Sequence, residues 1–312
     1  MSESTSLALV VDSGQTDIRV RALGPDGFAA TYPGVRTNAG LLPQLAGVIG
    51  AATRESGRTF PVVAIGTSGL TEVDDDPDRL LGLCREAGVV EVRLAHDSIT
   101  SYLGALGLGY GVVVAAGTGV VTLGVGPAGV ARVDGWGHVM GDAGSGFWIG
   151  REALEAVMRA HDGRGPRTAL TDVVRDRYPN LERAYIEIQA DRDWVRVVAG
   201  FARSVAALAT SDPVAGEICR AAGSELAQSA VTALARAGLE HDPAPRVALI
   251  GGIMKSAVIR DSCEAGIRRV MPSAGIVTPG GDGLAGAELL LAVSHDNALS
   301  GAVAIARRAH HG

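Results

Sequence analysis

One order of elements occurs twice along the sequence, and this repetition constrains the fold more than any other feature. Each time, three short apolar runs separated by polar turns predict an antiparallel meander of three strands. Helices and strands alternate after each meander, so both halves have a βββαβα plan. The sequence therefore predicts an α/β protein of two similar domains, residues 1–114 and 115–312, around a central ligand cleft. The predicted meander strands are 7–12, 17–23 and 28–32 in the first half, and 111–116, 120–125 and 130–133 in the second.

The elements that follow each meander are placed by apolar spacing, caps and turn residues. A long helical insertion distinguishes the second half from the first. No element is assigned to the residues from Ser294 onward. The main predicted elements are helix 39–56, strand 62–65, strand 89–95, helical insertion 167–237, strand 247–250, helix 255–270, strand 275–277 and helix 284–293.

Charge and residue usage argue against several classes of protein. A formal net charge of −6 argues against a surface for nucleic acid or for an anionic membrane. Lys255 is the only lysine, and its context matches neither a P-loop nor the strand lysine of a protein kinase. Because Cys84, Cys219 and Cys263 are widely spaced, we expect reduced thiols rather than disulfides or a zinc site. The first residues lack the pattern of a signal peptide, and we expect a cytoplasmic protein.

The stretch 135–151 has the most unusual composition, since glycine occurs six times in the run GWGHVMGDAGSGFWIGR. Glycine costs backbone entropy and packs poorly, so this density requires a reason. One interpretation is a wide irregular loop between a hairpin and a helix. The other is a loop folded over a small polar ligand, with Trp136 as a flat wall and Asp142 as a hydrogen-bond acceptor.

Two turns of small residues occupy corresponding places in the two halves. Each could be an ordinary hairpin turn. As a pair, they suggest a triphosphate held by backbone N–H groups and hydroxyls without lysine, with Asp12 holding Mg²⁺ through water. The residues of the two turns are Asp12, Ser13, Gly14, Gln15 and Thr16 in the first, and Gly117, Thr118 and Gly119 in the second.

Six motifs together resemble the N-acetylglucosamine kinase family, which is grouped with the BadF/BadG-type ATPases of the actin–Hsp70–sugar kinase superfamily. The resemblance implies two actin-like (ribonuclease H-like) domains, with the last helix packed back on the first. It also implies a homodimer that uses ATP and Mg²⁺ to phosphorylate the 6-hydroxyl of an amino sugar, N-acetylglucosamine or glucosamine. The motifs are DSGQT, LAHDSITSYLGAL, AAGTG, GWGHVMGDAGSGFWIGR, LIGGI and GGDGLAGAELLLA.

The resemblance also implies roles for single residues, each of which has a structural alternative. Asp97 matches the family's general base, although an aspartate at the start of a helix is commonly a cap. Gly251 and Gly252 match glycines that let the backbone approach adenosine, although they could form only a tight turn. The residues on the sugar side are Asn38, Ser68, Thr118, Trp136 and Asp142, of which Asn38 could be a helix cap, Ser68 part of a turn and Trp136 part of the core.

Some positions differ from the family pattern and leave the substrate open. Ser13 and Gln15 replace glycines of the first turn, Asp17 adds negative charge beside it, and Ala143 replaces a glutamate after Asp142. A single side chain can admit or exclude a sugar substituent, so N-acetylglucosamine, glucosamine, N-acetylmuramic acid and other hexoses remain alternatives. Two other functions are an ATPase that activates a dehydratase or reductase through an iron–sulfur cluster, and a catalytically silent sugar sensor.

Overall fold

The computed structural model describes residues 7–24, 27–36, 39–71 and 74–308. The chain divides into two compact units, one of Met1–Gly109 with Pro279–Gly312 and one of Tyr110–Thr278. This division differs from the predicted domains at both ends of the second unit. The chain leaves the first unit before the strand Gly111–Ala116, because that strand pairs with strands of the second unit. The C-terminal residues belong to the first unit rather than to the second.

In the first unit, three antiparallel strands precede alternating helices and strands, as predicted. Strand β1 is buried along most of its length, which suits an interior position between antiparallel and parallel neighbours. Strand β2 alternates buried Ile18 and Val20 with half-exposed Arg19 and Arg21. The elements are β1 (Ala8–Ser13), β2 (Asp17–Leu23), β3 (Ala29–Pro33), α1 (Leu41–Ser56), β4 (Val62–Thr67), α2 (Pro77–Leu83), β5 (Glu91–His96) and α3 (Asp97–Leu106).

The second unit repeats the meander and then inserts a helical region before its parallel strands. Its core is formed by the sheet and the long helix α9, which contributes alanine, glycine and leucine residues that allow close packing. The elements are β6 (Gly111–Ala116), β7 (Val120–Gly126), β8 (Gly129–Val133), α4 (Gly146–His161), α5 (Leu170–Arg177), α6 (Leu181–Ala190), α7 (Trp194–Gly200), α8 (Ala202–Leu208), α9 (Pro213–Arg236), β9 (Arg246–Ile250), α10 (Ala257–Val270) and β10 (Gly275–Val277).

The C-terminal segment adds α11 (Gly283–Leu289) and β11 (Ala304–Arg307) to the first unit. Helix α11 packs on α3 with the two backbones in direct contact. The approach is so close that a Cβ at Gly286 would overlap the carbonyl of Thr100. Strand β11 pairs antiparallel with β5, so the absence of any predicted element after residue 294 was wrong. Only Ala306 of β11 is buried, and a four-residue edge strand with so little apolar patterning gives a weak sequence signal.

Five strands of the first sheet follow the same order as the five strands of the second, and this correspondence confirms the predicted duplication. The first sheet runs β11-β5-β4-β1-β2-β3, and the second runs β10-β9-β6-β7-β8. In each, the meander is joined through its first strand to two parallel strands. Across the described ranges, no helix is both long enough and apolar enough to cross a bilayer.

Candidate active site

The carboxyl edge of the first sheet brings several predicted residues of the first unit together. Strands β1, β4 and β5 are parallel, and their last residues, Ser13, Thr67 and His96, lie in register. The N–H of Ser68 donates to the carbonyl of Ser13 at 2.9 Å. Asp97 follows directly as the first residue of α3. The predicted residues that this edge gathers are Asp12, Ser13, Ser68 and Asp97.

Asp12 is held by an arginine that the sequence analysis did not single out. Arg19 lies directly opposite Asp12 in the antiparallel register, and its Nη2 donates to Asp12 Oδ2. The Nη1 of the same guanidinium donates to Asp282 Oδ2 at 2.7 Å. Burial raises the pKa of Asp12, Arg19 opposes that rise, and the charges of Asp282 and Asp97 add to it. Asp12 is therefore a mostly buried carboxylate whose ionised form depends on Arg19.

The loop before α11 closes over Asp12. Asp282 Oδ1 accepts the N–H of Ala285 at 3.2 Å and so caps α11. Burial alone would raise the pKa of Asp282, but the Ala285 N–H and Arg19 hold it below its ordinary value. A Cβ at Gly283 would lie 2.6–2.7 Å from both carboxylate oxygens of Asp12, so only glycine fits here without displacement.

The first hairpin turn is fixed by backbone contacts and leaves two side chains exposed. The Gly14 N–H donates to Asp17 O at 2.9 Å, and Gly14 O accepts the N–H of Val35 at 3.0 Å. The side chains of Gln15 and Thr16 are exposed. The glutamine that replaces a glycine in this turn therefore leaves the backbone contacts of the turn intact.

Two hydroxyl groups at the same sheet edge lack partners within the described part of the chain. Ser13 Oγ and Ser68 Oγ are both buried and accept or donate no hydrogen bond there. Buried polar groups are almost always satisfied, by protein, water or ligand. The hydrogen-bonding capacity of these two buried hydroxyls is therefore unused within the described residues.

Asp97 is not the cap of its helix, so the capping interpretation was wrong. The cap is His96, whose Nδ1 accepts the N–H of Ser98 at 3.2 Å. The same Nδ1 lies 2.9 Å from Asp97 Oδ1. The side chain of Asp97 is 38% exposed. The carboxylate of Asp97 is thus accessible to solvent and does not cap the helix.

In the second unit, the Gly117–Gly119 hairpin and the start of α4 form one structure. The Gly117 N–H donates to Gly119 O at 2.8 Å, which closes the turn. The N–H groups of Gly146 and Phe147 donate to Gly117 O and Thr118 O, at 2.8 and 3.0 Å. The end of the glycine-rich stretch is therefore attached directly to the predicted phosphate turn.

Asp134 organises the glycine-rich loop, although the sequence analysis missed it. Its carboxylate accepts the N–H groups of Gly135, Asp142 and Ala143, at 2.7, 2.8 and 2.9 Å. Asp134 and Asp142 both have positive φ, 57° and 60°, which aspartate tolerates better than most side chains. The Asp-Gly pair at a strand end was the only signal in the sequence for this role.

Asp142 is largely committed to the loop itself. It is 8% exposed, and its Oδ1 accepts the N–H of Gly137 at 3.1 Å. A Cβ at Gly119 would lie 2.7 Å from Asp142 Oδ2, so the carboxylate packs against the hairpin. Burial raises the pKa of Asp142, and hydrogen bonds from the backbone of Gly137 and Val120 oppose the rise. The structure therefore gives this predicted acceptor a clear role in joining loop and hairpin.

Trp136 lies on the surface, so the interpretation as a core residue was wrong. The side chain is 58% exposed, and the guanidinium of Arg132 lies 4.9 Å from its ring centroid. His138, two residues on, packs against Phe147 and Trp194 with ring centroids 4.9 and 5.0 Å away. Asn38, the remaining sugar-side prediction, lies outside the described residues.

A cavity of about 760 Å³ in the second unit joins the hairpin to the end of β9. Gly117, Thr118 and Gly252 line it, while Gly251 has φ of 97° and abuts the carbonyl of Ala116. Lys255, whose context fitted no lysine motif, also lines this cavity. The predicted phosphate turn and Gly252, one of the two predicted adenosine glycines, thus line the same cavity.

The amino-acid sequence is similar to a family of ATPases and to two sugar kinases. The profile of the BadF/BadG/BcrA/BcrD ATPase family matches residues 5–291. An N-acetyl-D-glucosamine kinase of Dictyostelium discoideum is 36% identical over 127 residues, 38% of each chain. An N-acetylmuramic acid/N-acetylglucosamine kinase of Clostridium acetobutylicum is 32% identical over 116 residues, 36% of this chain and 38% of the relative. The aligned regions thus span well under half the length of these curated relatives.

Solved structures extend the likeness to nearly the whole chain. A candidate N-acetylglucosamine kinase of Chromobacterium violaceum is 27% identical, with a TM-score of 0.69 over 92% of this chain and 99% of that one. A ROK hexokinase of Thermus thermophilus, at 15% identity, shares the fold with a TM-score of 0.56 over 91% of this chain and 97% of that one. These likenesses confirm the predicted actin-like α/β fold.

Proposed function

Because the chain belongs to the BadF/BadG/BcrA/BcrD ATPase family, we propose that it is an ATP-dependent sugar kinase. The proposed acceptor is the 6-hydroxyl of an amino sugar, N-acetylglucosamine or glucosamine. Support for the substrate class comes from the names of the two curated relatives and of the Chromobacterium structure. N-acetylmuramic acid is a further candidate acceptor, since one relative is named for it.

The observation that carries this proposal is the state of Asp97. Its carboxylate is accessible, is not used as a helix cap, and follows β5 at the sheet edge that holds Asp12 and Ser13. We propose that Asp97 accepts the proton of the 6-hydroxyl as that oxygen attacks the γ-phosphorus. The bond from phosphorus to the bridging oxygen breaks, and ADP leaves with the electron pair. Phosphoryl transfer otherwise depends on positioning and charge neutralisation.

Residues of both units have proposed binding roles. In the first unit, Ser68 and Asn38 are proposed to hydrogen-bond the sugar, and the Ser68 hydroxyl is buried without a partner in the described part of the chain. In the second unit, Thr118 is proposed to bind the sugar or a phosphate. Trp136, whose side chain is exposed, is proposed to stack on the pyranose ring of the sugar. Asp142 is proposed to hold the sugar-binding loop in its conformation. The proposed nucleotide-binding residues are Asp12, Ser13, Gly14, Gln15, Thr16, Gly117, Thr118, Gly119, Gly251 and Gly252.

Asp12 has the chemistry to hold Mg²⁺ through water. Carboxylate oxygens suit this ion, which keeps several waters and uses few protein ligands. Arg19 engages Oδ2 and so holds the carboxylate in one orientation. Within the described residues no three His, Cys, Asp or Glu side chains form a dedicated metal cluster. When bound, the ion would supply neutralisation of phosphate charge.

A panel of sugars with coupled ADP detection tests the proposal. N-acetylglucosamine, glucosamine, N-acetylmuramic acid and glucose would be compared with 6-deoxy-N-acetylglucosamine, which lacks the proposed acceptor oxygen. We expect at least one amino sugar to raise ADP release well above the sugar-free rate and the 6-deoxy analogue to leave it unchanged. ADP release that no sugar stimulates would refute the kinase, and equal release with the 6-deoxy sugar would refute the 6-hydroxyl as acceptor.

The alternative of an iron–sulfur ATPase activator is less well supported by the cysteines. Burial raises the pKa of the Cys84 and Cys219 thiols to about 11 and that of Cys263 to about 12. All three side chains are buried. Cluster ligands are thiolates, and that alternative places them at a dimer interface, so these cysteines do not suit the role.

A homodimer completes the proposal and rests on the family likeness alone. A cytoplasmic location is proposed from the sequence pattern. Light scattering coupled to gel filtration measures the mass of the assembly directly. A mass near twice that of the chain is expected, and a monomer at all concentrations would contradict it.

A further inference from the structure

The cavity beside the Gly117–Gly119 hairpin carries positive charge without compensating acid. Arg196, Arg203 and Lys255 line it, and its described lining residues include no aspartate or glutamate. Arg196 has a partner in Asp193 at 3.4 Å. Arg203 and Lys255 are exposed and form no ion pair within the described part of the chain. Such a cavity favours a polyanion, and Thr118 at the predicted phosphate turn shares it.

The same lining holds no side chain that would favour adenine over guanine or hypoxanthine. Carboxylate, carboxamide and aromatic side chains are absent from the described residues around the cavity. Its arginines and lysine only donate hydrogen bonds, and the hydroxyls of Thr118, Thr210 and Ser256 both donate and accept. The remaining walls are aliphatic or glycine, and such surfaces contact the plane of any purine equally well.

A site discriminates between adenine and guanine when the wrong base leaves a polar group of the protein without a hydrogen-bond partner. Adenine offers an amine where guanine and hypoxanthine offer the acceptor O6. Side chains that only donate are well suited to O6 and N7, as in the common pairing of arginine with guanine. Hydroxyls can rotate to suit either base. The lining therefore contains no side chain that would penalise O6.

We propose that this cavity selects the phosphoryl donor by its phosphate charge and accepts guanosine and inosine triphosphates alongside ATP. Arg203 and Lys255 are the phosphate-binding residues of this cavity, because they recognise the charge common to all these donors. The inference rests on the proposed function, since it assigns the cavity to the nucleotide.

Calorimetric titration of the full chain with the magnesium complexes of ADP, GDP and IDP tests the inference. We expect dissociation constants that agree within about tenfold. We also expect inorganic tripolyphosphate, which has the charge but no base, to compete with ADP. Arg203→Gln and Lys255→Gln should each weaken the binding of ADP and of GDP by the same factor, about fivefold for the loss of an exposed charged contact. Arg260→Gln is the matched control, because Arg260 lies on α10 outside the cavity and pairs with Glu264.

The outcomes separate this inference from the kinase proposal. Binding of ADP more than about tenfold tighter than that of GDP and IDP would overturn the inference and leave the kinase intact. Unchanged ADP and GDP affinities in both the Arg203 and Lys255 variants would overturn it as well, as would failure of tripolyphosphate to compete. Absence of binding by all three nucleotides would overturn both proposals.

Discussion

Replacement of Asp134 by alanine is expected to destabilise the second unit strongly, because one carboxylate satisfies three backbone donors of the glycine-rich loop. The N–H groups of Gly135, Asp142 and Ala143 lie 2.7–2.9 Å from its oxygens. A hydrogen bond contributes about 1–1.5 kcal/mol net, and those to charged groups more. Because water can reach part of the loop in the variant, we take the lower range. The expected cost is about 3–5 kcal/mol for the three bonds.

Asparagine at position 134 provides an internal comparison. It tolerates the φ of 57° and keeps the bonds to one oxygen, but its amide nitrogen cannot accept the N–H of Ala143. We therefore expect about half the loss, roughly 2 kcal/mol. Asp162→Ala is the matched control, because Asp162 forms an exposed ion pair with Arg164 at 2.6 Å. Such pairs contribute at most about 1 kcal/mol.

Tryptophan fluorescence during urea unfolding measures this loss in the second unit alone. The three tryptophans of the sequence, Trp136, Trp148 and Trp194, all belong to that unit. With an m-value of about 2 kcal/mol per molar urea, a loss of about 4 kcal/mol lowers the midpoint by about 2 M. A midpoint for Asp134→Ala equal to that of Asp162→Ala would refute the role given to this carboxylate.

Three further predictions concern single contacts. Arg19→Gln should weaken the binding of Mn²⁺ together with a nucleotide about 10- to 100-fold, because the Asp12 carboxylate loses the contact that orients it. Electron paramagnetic resonance measures this binding. Arg21→Gln, which breaks an exposed ion pair on the same strand, should change Mn²⁺ affinity less than twofold. Gly283→Ala should lower the unfolding free energy by about 1–3 kcal/mol, since the new Cβ overlaps the Asp12 carboxylate. Gly82→Ala is the control, because a Cβ there meets no neighbour within 4 Å. Burial would raise the pKa of Asp212, but two backbone N–H groups and a threonine hydroxyl lower it. Because the pKa of Asp212 is lower in the folded than in the unfolded protein, the ionised carboxylate stabilises the fold at pH values above the unfolded pKa. That stabilisation is lost as the pH falls through the folded pKa. Asp212→Asn should therefore destabilise the protein more at pH 7 than at about pH 3.

Each of these predictions has a clear contrary result. Equal effects of the two arginine variants on Mn²⁺ binding would show that the contact with Asp12 has no special role. Equal unfolding midpoints for the two glycine variants would contradict the close approach at Gly283. A loss for Asp212→Asn that is the same at pH 7 and pH 3 would contradict the stabilised carboxylate.

The fold could be predicted from the sequence because its signals are local. Periodicity of two and short polar turns located both meanders, and the repeated order of elements located the duplication. Strand β11 escaped prediction because only one of its four residues is buried. Its pairing with β5 joins positions more than 200 residues apart, and sequence periodicity carries no information on such pairing.

The candidate site was predicted less completely, because its key contacts depend on tertiary structure. The pair of Asp12 and Asp282 around Arg19 requires the C-terminal segment to return to β1 and β2. Asp134 acts only once the chain has folded back to bring residues 142 and 143 to its carboxylate. The resemblance to a family indicated Asp97, whereas spacing alone could not separate a base from a cap.

The most direct test of the central claim is the turnover number of Asp97→Asn for the sugar that the panel identifies. Asparagine keeps the size of the side chain but cannot accept the proton. We expect the turnover number to fall by about 10²–10⁴ while the dissociation constant of the sugar stays within a few-fold. Asp78→Asn, an exposed aspartate in the first turn of α2, should keep full activity. Full turnover by Asp97→Asn would contradict the assignment of this carboxylate as the base.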